Sequence, residues 1–274
     1  MKHIFVVNPA AGKGKKLPAV LSAITYACEE LDADYEIYHT VTVGDGIRFV
    51  REKCEKNPGE PMRFYACGGD GTLYEVINGA IGCPTAEVAV VPSGTGNDFI
   101  KAFSSPEFFS DIKRQLLGKP ERLDLIRYNN KYCINVLNIG FDCDVVQKVS
   151  EIKRSALVPS KLAYLFSVAD VFTKTFGKSF KVLIDDRELI EREFMLLALA
   201  NANYYGDGFQ VAPDALLNDG YMNLCLVDKV SRTEFIKLVA KYKAGRHVNE
   251  NGESLYPFIR YQKCKKVLIE SYKP

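Results

Sequence analysis

The sequence predicts two domains of different class: an α/β domain built on a parallel sheet over residues 1–122, then a mainly antiparallel β-sandwich over 123–274. Three observations predict this. Apolar runs alternate with amphipathic helical stretches through the first third of the chain, the pattern of right-handed βαβ units. Beyond residue 122 short strands follow one another through tight turns. With 274 residues the chain is long enough for two domains of roughly 100–200 residues each.

Taken in order, HIFVVNP is a continuous apolar run ending in a turn, as for a strand buried on both faces. LPAVLSAITYACEEL sets Leu17, Val20, Leu21, Ile24, Ala27, Cys28 and Leu31 at helical spacing. DYEIYHT reads as a second strand, and GIRFVREKCEK as a helix with Ile47, Val50 and Cys54 on one face. MRFYACG is a third strand, TLYEVINGAI a third helix and EVAVVPSG a fourth strand. GKPER, ending at Arg122, marks the boundary. After it, LDLIRYNNKYCINVLNIGF predicts a hairpin turning at Asn129–Asn130, and FKVLIDDRELIEREFMLLALANANYYG a second turning at Asp185–Asp186. GYMNLCLVDKV and KKVLIES add strands. Helical stretches are expected at 161–175 (KLAYLFSVADVFTKT) and 232–242.

Composition bounds the partners. Apolar content is 47%, charged content 26% and net charge only +2, so no global field argues for nucleic acid. The opening MKHIFVVNPAAGKGKK has too short an apolar run for a signal peptide and no small-residue cleavage site. No stretch approaches the ~18–20 uninterrupted apolar residues of a membrane span. A cytoplasmic location is expected, with any membrane contact peripheral to the inner face. The eight cysteines form no CxxC pair and do not sit with His at zinc-ligand spacing, so they read as reduced structural residues.

Three glycine-bearing turns follow three strands of the first half: NPAAGKG (8–14), GGDGT (68–72) and PSGTGND (92–98). In an open parallel sheet the carboxyl ends of the strands line one edge, where ligands bind, so three such loops converge on one ligand. Glycine lets backbone approach a ligand closely, and N–H groups at the following helix start attract phosphate oxygens. Thr72 and Thr95 can add hydroxyl donors, and Lys13 and Lys15 positive charge. Neither GxxxxGK[ST] nor a GxGxxG after the first strand occurs. An acid, Asp70, stands in the loop instead. That suggests magnesium, since carboxylate and phosphate oxygens can share one hard cation, and phosphoryl transfer needs positioning and neutralised charge.

FYACGGDGTLYEVING and VAVVPSGTGNDFIKAF, with NPAAGKGK ahead of them, resemble the catalytic domain of the diacylglycerol kinase family, most of all its soluble bacterial lipid kinases, relatives of sphingosine and ceramide kinases. RLDLIRYNNKYCINVLNIGFDCDV and ALANANYYGDGFQVAPDALLNDGYMNL are similar to later stretches of the same family. GGDGT alone is shared with NAD kinases and phosphofructokinases. The addition of GTGND and APDALLNDGYM makes the match specific.

The resemblance implies an ATP- and Mg2+-dependent lipid kinase, with diacylglycerol as the leading acceptor. It implies that Asn8, Pro9, Ala10, Ala11, Gly12, Thr40, Gly68, Gly69, Asp70, Gly71, Thr72, Leu73, Thr95 and Asn97 surround ATP. Asp70 and Asp98 would help place magnesium and phosphate, and Asp124, in RLDLI, matches a family acid near the reacting centre. Asp219 matches an acid that holds a structural magnesium with the backbone carbonyls of Leu216 and Tyr221. Read from its residues alone, Asp219-Gly220 is an ordinary turn. Relatives usually carry a further Asp-Gly-Glu strand whose Glu is taken as the general base. Here VLIESYKP stops before such a strand, Asn251-Gly252-Glu253 lies upstream and reads as a solvated turn, and Asp124 is the best substitute. Two alternatives stay open: a GGDGT kinase acting on NAD, and a catalytically impaired nucleotide- or lipid-binding relative.

The expected partners are a lipid alcohol and, transiently, a membrane surface, with no nucleic acid; a homodimer is left open. KLAYLFSVADVFTKTFGKSFK suits either an interfacial amphipathic element or a helix packed on the sandwich, and IKRQLLGKPER is a second basic patch of equal ambiguity.

Overall fold

Uninterrupted apolar runs build the first sheet. The computed structural model describes residues 1–140, 143–144 and 177–272. Strands β1 (Lys2–Val7), β2 (Tyr35–His39), β3 (Met62–Gly68) and β4 (Ala86–Pro92) are all parallel, in the order β2-β1-β3-β4. β3 is buried along its whole length, as a strand flanked on both edges and covered on both faces must be. Helices α1 (Leu17–Glu30), α2 (Asp45–Lys56) and α3 (Asp70–Ala80) make the crossovers. The α1 stripe buries Ile24, Ala27 and Cys28 against Phe5, Val7, Tyr65 and Cys67. Every strand and helix expected over residues 2–92 is present. After β4 come the short 3-10 helices Phe99–Ala102 and Pro106–Ser110, then α4 (Ile112–Leu117). β5 (Ile126–Tyr128) and β6 (Lys131–Cys133) form a small hairpin, turning where expected, with Asn129 at φ +50°.

The chain divides into two units: Met1–Ile134 with Gly206–Gly208, and Asn135–Tyr205 with Phe209–Pro274. In the second unit β7 (Val136–Gly140), β8 (Lys178–Ile184), β9 (Glu188–Ala200), β12 (Met222–Asp228), β13 (Ile259–Cys264) and β14 (Val267–Ser271) pair antiparallel, in the path β13-β12-β9-β8-β14 with β7 also on β9. A two-stranded ribbon, β10 (Tyr204–Tyr205) and β11 (Phe209–Gln210), forms a sheet of its own, with Tyr205 and Phe209 packed against the second core. The β8–β9 loop spans three residues between the paired Ile184 and Glu188, with Asp185 at φ +49°, Asp186 at φ +56° and the Arg187 N–H donating to the Ile184 carbonyl. β9 pairs with β8 along its first half and with β7 and β12 along its second. β13 and β14 stand at opposite ends of the path, yet only Lys265 and Lys266 separate them. A flat five-strand sheet would place its edges about 19 Å apart, whereas three Cα steps reach at most about 11 Å. The sheet therefore folds over on itself, which makes it a sandwich.

Helix α5 (Arg232–Lys243) starts at a capping box of Ser231 and Glu234. It buries Leu238 and Tyr242 against Ala198, Cys225, Val227 and Tyr261. β13 has no counterpart among the expected strands. FIRYQKC carries three cationic or amide side chains, and only the inward pair Ile259 and Tyr261 marks its alternation. The helical stretch expected at 161–175 lies outside the described residues. No helix among the described residues is long and apolar enough to cross a membrane.

His247 is fully buried in this second core. Its ring lies 4.5 Å from Tyr242, and Nε2 donates to the Val211 carbonyl at 3.1 Å. Burial holds its pKa well below the ordinary value of 6.5, at about 4, against the opposing pull of the Val211 carbonyl and Asp214. The unfolded chain therefore takes up a proton below pH 6.5 that the folded chain refuses until about pH 4. Stability should fall as pH drops through that window, by about 3 kcal/mol in total. His247→Phe should be less stable at pH 7 but should lose this acid-sensitive component. Urea midpoints of the two proteins should converge between pH 7 and pH 4.5, and parallel curves would show that His247 does not carry it.

Candidate functional site

All four strands of the first sheet end on one edge, and four loops leave from it. Their backbones are knitted together. Asn8 donates its N–H to the Cys67 carbonyl at 3.0 Å, and Thr40 donates its N–H to the Val7 carbonyl at 2.9 Å. Asn8 Oδ1 accepts from the Ala10 N–H at 3.0 Å, which shapes Pro9, Ala10 and Ala11 into a turn, and Asn8 Nδ2 reaches Thr72 Oγ1 at 3.3 Å. Ser93 and Gly94 both donate to the Gly68 carbonyl, at 2.9 and 3.0 Å.

Two glycines are required by contact. A Cβ on Gly12, at φ +56°, would fall 2.5 Å from the Ser93 carbonyl oxygen, and one on Gly94 would fall 2.4 Å from Gly69 Cα. These contacts press the first and third loops against the fourth.

Asp70 is the first residue of α3, with Gly69 ahead of it in extended backbone. Its carboxylate faces the fourth loop. Oδ2 accepts from the Asp98 N–H and Oδ1 from the Phe99 N–H, both at 3.1 Å. Asp98 repeats the device. Its carboxylate, 5% exposed, accepts from the N–H groups of Asp207 and Gly208 at 2.9 and 3.0 Å and holds Lys101 Nζ at 2.5 Å. Asn97, at φ +48°, donates Nδ2 to the Gly94 carbonyl, and its buried Oδ1 has no partner among the described residues.

Of the residues expected here, Asn8 to Gly12, Thr40, Gly68 to Leu73, Thr95, Asn97 and Asp98 lie on this edge. Gly71 and Thr95 are exposed on it, as are Lys13 and Lys15. Thr72 and Leu73 are buried, so Thr72 serves as a partner for Asn8 and Leu73 as core. Asp124 belongs to the same unit, half-buried two residues ahead of β5. Sequence reasoning missed Glu75, which accepts from the N–H groups of Gly44 and Gly46 at 2.8 and 2.9 Å and so fixes the start of α2. A lone charged residue in the mostly apolar LYEVINGAI was its only signal. Lys101 and the Gly206–Gly208 turn were missed as well.

The acids differ in their fit to a divalent cation. Asp70 is half-exposed, and each of its oxygens has accepted only one backbone hydrogen, which leaves lone pairs for a hard cation. Asp98 is buried under three donors. In the second unit Asp219 Oδ1 accepts from the Tyr221 N–H at 3.0 Å, while Oδ2 holds Lys263 Nζ at 2.6 Å. Partial burial would raise its pKa, but the Lys263 ammonium and the Tyr221 N–H outweigh that and lower it. As placed, this is an ion-paired turn with Gly220 at φ +75°, with the Lys263 ammonium as the cation on the carboxylate. Leu216 and Tyr221 are exposed beside it. Among the described residues no group of three or more His, Cys, Asp or Glu side chains is gathered for a metal. Asn251-Gly252-Glu253 forms a turn, with the Gly252 N–H on the Asn249 carbonyl and Asn251 and Glu253 exposed.

Residues 2–128 match the diacylglycerol kinase catalytic domain, and residues 135–273 match the YegS C-terminal NAD kinase beta sandwich-like domain. The chain is similar to a diacylglycerol kinase of Staphylococcus saprophyticus, 29% identical over 272 residues, covering 97% of this chain and 84% of that protein. A diacylglycerol kinase of Staphylococcus aureus is 27% identical over 272 residues, covering 97% and 81%. The crystal structure of a diacylglycerol kinase from Bacillus anthracis matches at a TM-score of 0.70 over 99% of this chain and 86% of that one. Its 22% identity makes this a likeness of fold.

The close approach of the third and fourth loops can be tested by one methyl group. Gly94→Ala should cost about 1–3 kcal/mol, because the methyl meets backbone rather than a yielding side chain. Gly71→Ala, where a Cβ meets nothing within 4 Å, should be neutral or stabilising by up to about 1 kcal/mol in a helical position. Urea denaturation of the pair decides, and equal stabilities would remove the contact from the account.

Proposed function

Because this chain belongs to the diacylglycerol kinase catalytic-domain family, we propose that it is an ATP- and magnesium-dependent lipid kinase that transfers the γ-phosphoryl group of ATP to the hydroxyl of diacylglycerol, giving phosphatidic acid. The observation that supports this best is the knitted edge of the first sheet. Three of the four loops meet there through backbone contacts that glycine at 12 and 94 permits, and α3 begins on that edge. Helix N-termini and close-packed glycine backbones are what phosphate oxygens need.

In this reading Asn8 to Gly12, Thr40, Gly68 to Leu73, Thr95 and Asn97 shape the nucleotide site, mostly through backbone. The exposed Lys13 and Lys15 add positive charge. Asp70 contributes a carboxylate to magnesium, which when bound neutralises phosphate charge and polarises the transferring group. Asp124 lies toward the reacting centre. Leu216, Asp219 and Tyr221 take no part in the reaction. The acceptor is a lipid, so the enzyme works at a membrane surface from the cytoplasmic side.

A screen of lipid alcohols with ATP and magnesium tests this reading, with NAD assayed in parallel. Phosphatidic acid from diacylglycerol is expected, without phosphorylation of NAD, and chelation of magnesium should abolish it. Asp70→Asn should lower kcat by about 100-fold or more while the protein stays folded. Full activity in that variant would sink the role of Asp70. Nucleotide binding without turnover on any lipid alcohol or on NAD would mark a binding protein.

A further inference from the structure

The Gly206–Gly208 turn, like Gly12–Gly14, is a left-handed stretch of backbone in the first unit. Its three successive residues are left-handed, at φ +56°, +65° and +95°, and the middle one, Asp207, is not glycine. Asp tolerates this region better than most residues, yet it is rarely found there. Consecutive left-handed residues aim neighbouring N–H groups at one point and make an anion-binding nest. Here the anion is the Asp98 carboxylate, which accepts from the Asp207 N–H at 2.9 Å on Oδ2 and from the Gly208 N–H at 3.0 Å on Oδ1. Lys101 Nζ closes on Oδ1 at 2.5 Å. Asp98 in turn hangs from Asp70 by its own N–H.

Asp98, buried under three donors, has little left to offer a substrate, and its carboxylate works as a strut. What the strut delivers is Asp207, which is exposed. Backbone strain of this kind persists only where the surroundings over-determine it, and it gathers at functional sites. Asp207 is anchored to the PSGTGND loop through its backbone N–H and carries an exposed carboxylate, which suits it to receive the proton that an acceptor hydroxyl must lose.

We propose that Asp207 is a further catalytic residue, the base for the acceptor hydroxyl, and that Asp98 is a positioning residue acting through it. This rests on the kinase reading given above. In the step, the hydroxyl oxygen bonds to the γ-phosphorus as the bond from phosphorus to the bridging oxygen breaks. That electron pair leaves with ADP, and the hydroxyl proton passes to the Asp207 carboxylate.

Asp207→Asn provides a clean test, since Asn accepts a left-handed backbone and keeps both N–H bonds to Asp98 while removing the base. Its kcat with diacylglycerol should fall about 100-fold or more. KM for ATP should stay within about twofold and the melting temperature should not move, a split that a purely structural role would not give. Asp98→Asn should also lower kcat, but in the Asp207→Asn background it should cost no more than about threefold further, because both changes remove the same contribution. Wild-type kcat in Asp207→Asn, or fully multiplicative losses in the double variant, would overturn the inference. So would loss of kcat in Asp124→Asn while Asp207→Asn stays active, which would make Asp124 the base. If the wild-type protein phosphorylates no lipid alcohol, the kinase reading falls and this inference with it. If it does and Asp207→Asn matches it, this inference alone falls.

Discussion

The grip of the Asp70 carboxylate on two backbone amides is the constraint on which the edge of the first sheet depends. Asp70 reaches from the start of α3 to the start of the Phe99–Ala102 helix, so two loops that leave different strands move as one. Charge-assisted bonds to backbone N–H groups are shorter and stronger than neutral ones, and they need no side chain on the far loop. The fourth loop can therefore be Ser-Gly-Thr-Gly-Asn, nearly without side-chain bulk, and still hold one conformation. Asp98 passes the same constraint to the Gly206–Gly208 turn. An acid in a glycine-rich phosphate loop looks misplaced until its partners are seen, because the amides take up much of its charge.

The two units solve the burial problem differently. The first covers both faces of a parallel sheet, which frees the carboxyl ends of the strands for a ligand. The second folds an antiparallel sheet over and packs α5 onto it, with His247 held neutral in its core. Lys263 sits on Asp219 at one margin of that sheet.

Most of this organisation was legible in the residues. The apolar runs HIFVV, FYACG and AVVP gave the strands of the first sheet, because a strand buried on both faces must be apolar throughout. The Asn-Asn and Asp-Asp turns gave the hairpins, because few residues accept the left-handed backbone there. The glycine turns located the edge. What the sequence did not disclose is which acids are spent on backbone. Asp70 and Asp98 read alike as candidate ligands, and only distances separate the half-exposed Asp70 from the buried Asp98, while Glu75 drew no notice at all. The Gly206–Gly208 turn was illegible for the same reason, since its partner lies more than a hundred positions earlier in the chain. β13 escaped because polar side chains dilute its alternation.

The two-residue link between β13 and β14 has a consequence for synthesis. β8 is made early in the second unit, yet its outer neighbour is β14, with Phe180 opposite Ser271 and Ile184 opposite Val267. While the chain emerges from the ribosome, β8 presents an unpaired, partly apolar edge until the last strand arrives. At about 5–20 residues per second that wait lasts about 4–20 s, long enough for an exposed strand edge to meet another nascent chain. The charged flanks of these strands, Lys178 and Lys181 on β8 and Glu270 on β14, are where such an encounter would be discouraged.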